Sequence, residues 1–132
     1  MGDASCLRVQ DIEHVCVVSF KDASILDALT IQRIGNELYN LIEEQGRKTL
    51  LLDFSDVRFM SSQALGVIIR LRTKADKVAA KIALASIRPE LIRVFKITNL
   101  DRLFVFHATR DEGLLKFGVT PPPKAQATPP KK

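Results

Sequence analysis

The chain has 132 residues, enough for one domain with a real core, and its 46% hydrophobic and 27% charged residues fit an ordinary globular protein. Three of its 20 basic residues, Lys124, Lys131 and Lys132, lie at or beyond position 124, leaving 17 against 15 acidic groups, so the formal charge of +5 is not the footprint of a nucleic-acid binder. No apolar run approaches the about 18 residues of a membrane span, Met1-Gly2-Asp3 is unlike a signal peptide, and Cys6 stands where a myristoylation motif needs Ser or Thr. The two cysteines, Cys6 and Cys16, fall in or near apolar segments, as small core residues do, and a reducing, cytoplasmic setting is expected.

In chain order, Leu7–Asp11 and Val15–Phe20 read as two strands of a hairpin joined by Ile12-Glu13-His14. Lys21–Ser24 is a polar loop. From Leu26 to Glu44 the apolar set Leu26, Leu29, Ile34, Leu38, Leu41 and Ile42 predicts a long helix, which Gly46 ends. Leu50-Leu51-Leu52 suits a central strand buried on both faces. The chain breaks at Asp53–Asp56, resumes at Phe59-Met60, and then Ala64, Leu65, Ile68, Leu71 and Ala75 recur at helical spacing.

Ser61 and Ser62 therefore stand where this second helix begins. A serine there can be an ordinary N-cap, accepting from free backbone N–H groups. The same place favours an anion and so suits a phosphate carrier. Farther along, Arg70, Lys74, Lys77 and Lys81 fall on one face of a helix, a pattern most often of a solvated surface and less often of a contact site.

Lys81–Ser86 predicts a short buried strand, and Pro89 opens a helix whose core face uses Leu91, Ile92, Val94 and Phe95, with Asn99 as its stop. Leu103–Phe106 is a last strand, and Thr109 and Glu112 have capping-box spacing for a terminal helix through Phe117. Residues 1–118 thus form one domain and 119–132 a disordered Pro- and Lys-rich tail. The alternation β–β–α–β–α–β–α–β–α, with a hairpin first and crossovers after, predicts an α/β fold with a mixed sheet and about four helices.

No catalytic constellation can be assembled, and no cofactor or metal is expected. His14 and His107 stand alone, the glycines are scattered with no phosphate loop, and Ser61-Ser62 lack a nucleophile elbow. Asp53 and Asp56 could in principle hold a metal but fit turn-capping roles better. The chain reads as a binding module, not an enzyme.

The string from Asp53 to Val67, with Phe59-Met60-Ser61-Ser62-Gln63-Ala64-Leu65-Gly66-Val67 at its centre, resembles the STAS domain of bacterial anti-sigma factor antagonists and sulfate-transporter tails, whose typical form is Phe-Met-Asp-Ser-Ser-Gly-Leu-Gly-Val. Ser86-Ile-Arg-Pro89-Glu90 and the stretch from Val94 to Phe104 continue the likeness, which covers residues 7–118. The resemblance implies a four-helix, mixed-sheet fold. It also implies binding to a serine-kinase anti-sigma factor, with release on phosphorylation of a serine at the start of the second helix.

Aligned without a gap, the family's Asp falls on Ser61, its first serine on Ser62, its phosphoacceptor on Gln63 and its glycine on Ala64. Gln cannot be phosphorylated, so either Ser62 serves, with Ser61 as runner-up, or phosphate does not switch this protein. The resemblance implies a partner surface of Asp22, Asp27, Met60, Ser61, Ser62, Gln63, Ala64 and Gly66. Besides the phosphate-switched antagonist, two alternatives stand: a scaffold docking constitutively to a signalling assembly, and a small-molecule or nucleotide binder.

Overall fold

The computed structural model describes residues 7–21 and 24–119. Strands β1 (Leu7–Ile12) and β2 (Val15–Phe20) pair as the expected antiparallel hairpin, with Glu13 in the left-handed region at the turn. Then come β3 (Ser24–Ile25), α1 (Ala28–Glu43), β4 (Thr49–Asp53), β5 (Phe59–Met60), α2 (Ser62–Lys77) and β6 (Lys81–Ala85). The chain continues through α3 (Pro89–Ile97), a single 3-10 turn at Leu100–Arg102, β7 (Val105–His107) and α4 (Arg110–Lys116). The main sheet has the order β1-β2-β4-β6-β7, and every pair except β1–β2 is parallel. Among the described residues no helix is long and apolar enough to cross a membrane.

The run Leu50-Leu51-Leu52 is apolar throughout because β4 is covered on both faces. Leu50 and Leu52, with Cys16, Val18 and Leu84, face the core shared with α1, α2 and α3. Leu51, with Val15, Val17, Ala83 and Ala85, faces Leu114 of α4. Gly113 lets α4 approach closely: a Cβ there would sit 2.8 Å from Leu51 Cδ1. The capping box holds this helix, since the Glu112 N–H donates to Thr109 Oγ1 at 3.1 Å and the Ala108 N–H to Glu112 Oε1 at 2.7 Å. Burial first, and the neighbouring Asp11 as well, raise the Cys16 thiol to about 11 against the smaller opposing pull of Arg47, so it stays protonated at neutral pH.

Several expectations need correction. Helix α1 starts at Ala28 because Asp27 caps it, its Oδ2 accepting from the Thr30 N–H at 3.0 Å. Leu26 and Leu29 are therefore not core residues but 54% and 56% exposed. At about 100° per residue Leu29 lies half a turn away from Leu38, and Ile31 takes the buried position instead. Val94 is exposed on α3, whose core residues are Leu91 and Phe95. Ser24 is in β3, not a loop, and Phe59-Met60 is a strand paired with it; both are too short for a periodic signal. The last strand begins at Val105, two residues late, because Leu100–Arg102 forms the 3-10 turn.

The domain also runs past position 118. Val119 is 1% exposed, packs in the α4-side core and donates its N–H to Leu114 O at 2.9 Å. The rest of the expected tail, with Cys6 and Asp22, lies outside the described residues. A chain ending at Gly118 should lose about 1.5–3 kcal/mol of stability through Val119, whereas one ending at Thr120 should melt with the full chain. Thermal unfolding of the two truncations decides it: equal melting temperatures would show that Val119 contributes nothing.

Candidate functional site

The start of α2 is held in place by the loop that precedes it. At the end of β4 the Phe54 N–H donates to Ala85 O at 2.9 Å, and the buried Phe54 ring packs on Phe20 with centroids 4.9 Å apart. Asp53 is buried, and its Oδ1 accepts from the Ser55 N–H at 3.0 Å in an Asx turn. Its Oδ2 lies 4.0 Å from Arg110, while Asp56 is exposed. The two carboxylates thus do separate work, and no group of three or more metal-ligating side chains forms among the described residues. Strand β5 then pairs with β3, and the Ser61 N–H donates to Ile25 O at 3.1 Å.

Ser61 is the N-cap of α2. Its backbone is extended and its Oγ accepts from the Ala64 N–H at 3.2 Å. Ser62 and Gln63, the first two helical residues, are exposed, where the free amides and positive dipole end of a 16-residue helix project. Met60 and Gly66 are half-buried. Ala64 is 4% exposed and belongs to the core, so it drops out of the expected contact surface. The reason is register: Ala64 shares its helix face with Leu65, Ile68, Leu71 and Ala75.

Helix α1 packs beside α2 and begins at the same end of the domain, since both descend from the carboxyl ends of parallel strands. This places Asp27, the N-cap of α1, on the same end as the two serines. Between the two helices lies an open groove of about 660 Å³, lined by Leu29, Gln32, Gln63, Gly66 and Arg70 among others. A Cβ added to Gly66 would touch nothing within 4 Å, so the glycine keeps the groove floor flat rather than serving packing.

Three apolar residues that sequence reasoning did not assign to the site frame it. Leu29 is in the groove, Leu26 follows the β3 residue that bonds Ser61, and Phe59 of β5 is 57% exposed. Leu26 and Leu29 escaped sequence reasoning because both counted toward the apolar pattern of the helix. The basic face resolves otherwise: Lys74 pairs with Glu43 at 2.8 Å and lies 5.0 Å over the Tyr39 ring, Arg70 borders the groove, and Lys81 belongs to a different cleft. His14 sits in the hairpin turn with Nε2 3.0 Å from Phe117 O, and His107 lies in the edge strand β7.

With this geometry established, comparison with known proteins is specific. The model of the STAS domain family matches residues 7–113. The TM1081 homolog of Thermotoga neapolitana, named as an anti-sigma factor antagonist, is 37% identical over 70 residues; the match covers 53% of this chain and 62% of the relative, less than two thirds of its length. An anti-sigma-factor antagonist STAS domain protein of Planctomyces limnophilus superposes with a TM-score of 0.73 at 22% identity, covering 85% of this chain and 97% of the other. The phosphorylated form of the Bacillus cell fate determinant SpoIIAA superposes with a TM-score of 0.67 at 18% identity, covering 84% and 98%. At those identities the two structures show a shared fold, and the family model carries the assignment. The chain belongs to the STAS domain family.

Proposed function

We propose that this chain is an anti-sigma factor antagonist-like regulator that docks on an anti-sigma factor with serine-kinase activity and is released when Ser62 is phosphorylated. The observation that carries this reading is the division of labour between the serines: the Ser61 hydroxyl is engaged as N-cap, and Ser62 stands exposed one residue on. The names of the relatives speak of anti-sigma factors, a phosphorylated form is known for SpoIIAA itself, and the serine-kinase activity of the partner comes from the family resemblance alone.

The physics of release is electrostatic. A phosphoserine adds about −1.5 to −2 charge. At a helix start the fold tolerates it. At the centre of a contact surface made of Leu26, Leu29, Met60, Gln63 and Gly66, the same charge must lose water against the partner, and that opposes rebinding.

Calorimetric titration of the cognate partner with variants is the test. Ser62→Asp should weaken binding by about tenfold or more. Ser62→Ala should bind normally but resist release by kinase and ATP. Ser61→Ala should instead cost about 1 kcal/mol of stability through the lost cap. Phosphopeptide mapping that places the phosphate elsewhere would sink the assignment of Ser62.

A second reading is favoured by Gln63. It occupies the aligned acceptor position and cannot carry phosphate, as expected of a scaffold that docks constitutively to a signalling assembly. An active cognate kinase that leaves the chain unmodified would establish that reading.

A further inference from the structure

The end of the domain opposite Ser62 holds a cleft that this docking scheme does not use. It arises because β7 is short: its register with β6 begins at Ala83↔Val105, so Lys81 and Ile82 have no β7 partner. The last turn of α2 covers one side of the gap, Leu103 another, and Lys116-Phe117 at the end of α4 a third. Small side chains, Ala75, Ala80 and Ala83, stand where larger ones would fill the space, and about 540 Å³ remains open. That volume is in the range of small-molecule sites rather than of a packing defect.

The chemistry of the lining is lopsided. Its body is apolar, including the exposed Leu103 and Val105. Its polar members are Arg72, Lys81, His107 and Lys116 against one carboxylate, Asp76. Arg72 already neutralises that carboxylate at 3.3 Å and donates from Nε to Leu103 O at 2.6 Å. The Lys81 and Lys116 ammonium groups have no ion pair or hydrogen bond among the described residues. Two cations with no partner among the described residues, lining an apolar cleft, select an occupant with an anionic head and an apolar body. The residues after Thr120 do not fit, because they include three lysines and no Asp or Glu.

We infer that this cleft binds a free amphipathic anion, a medium-chain or aryl carboxylate, with its carboxylate between Lys81 and Lys116 and its apolar body against Leu103, Val105 and Phe117. Salt should weaken the head contact, which lies at the surface, while the body contact persists.

Calorimetric titration of the full chain with decanoate, below its micellar concentration, tests this, with decanol and decyltrimethylammonium as controls. Saturable one-to-one binding of decanoate, at least about tenfold tighter than either control, is expected. Lys81→Glu combined with Lys116→Glu should abolish that preference, and because both side chains are exposed the variant should fold, as circular dichroism would verify. Arg70→Glu, in the other groove, should change nothing here. Equal binding of decanoate and decanol, decanoate binding unaltered in the double variant, or binding only to anionic vesicles would each overturn the inference. The cleft lies at the far end of α2 from Ser62, so a failed decanoate titration leaves the partner titration unaffected, and the reverse.

Discussion

Leu52→Ala should lower stability in urea titration by about 2–5 kcal/mol with little change in slope. Leu52 is wholly buried in the central strand, with Val18 and Leu84 as its Cα partners on the flanking strands. Truncation removes transfer energy and leaves a cavity, and neighbours fixed in three parallel strands cannot collapse into it. Leu26→Ala is the matched control: the same substitution at an exposed residue ahead of α1 should stay within about 0.5 kcal/mol. A loss below about 1 kcal/mol at Leu52 would mean that β4 is not the strand on which both cores are built.

That contrast between two leucines shows what was legible in the sequence. Leu50-Leu51-Leu52 announced itself because a strand covered on both faces needs no alternation. The positions of α2, α3 and α4 were legible from Ser61, Pro89 and Thr109, whose side chains or ring act on the backbone locally. Leu26 and Leu29 misled because an apolar residue near a helix start counts toward periodicity whether or not it lies on the buried face. Strands β3 and β5, two residues each, could not be read at all, since they exist only by pairing with each other.

Yet β3 and β5 decide the site. Their pairing hands Ser61 to Ile25 O, fixes where α2 starts, and leaves Ser62 rather than Ser61 exposed. A motif aligned to the family places serines along the chain but does not say which hydroxyl the helix consumes. Ala64 illustrates the complementary limit. It occupies the family's glycine position in the motif, but the helix turns it into the core, while Gly66 two residues on floors the groove. The cleft at the other end had no sequence signal, because Lys81, Leu103 and Lys116 are brought together only by the order of β6, β7 and α4.

Phe95→Ala should be still more damaging, by about 3–5 kcal/mol. Phe95 is the large buried residue of α3, and its ring meets Phe104 and Phe106 edge-on, with centroids 5.9 Å and 5.3 Å apart. Each such pair adds about 0.5–1.5 kcal/mol beyond area burial. Both partners lie on the segment that forms the β7 edge, and a three-residue edge strand has few other anchors. The loss should therefore be uneven. Backbone amides of the 3-10 turn and of Val105–His107 should lose hydrogen-exchange protection first, and those of Leu50–Leu52 last. The same loosening should weaken the inferred decanoate binding, since Leu103 and Val105 line that cleft, while the partner binding proposed for the Ser62 end should survive wherever the domain stays folded. Uniform loss of protection across the sheet would show instead that α3 and β7 unfold only with the whole domain.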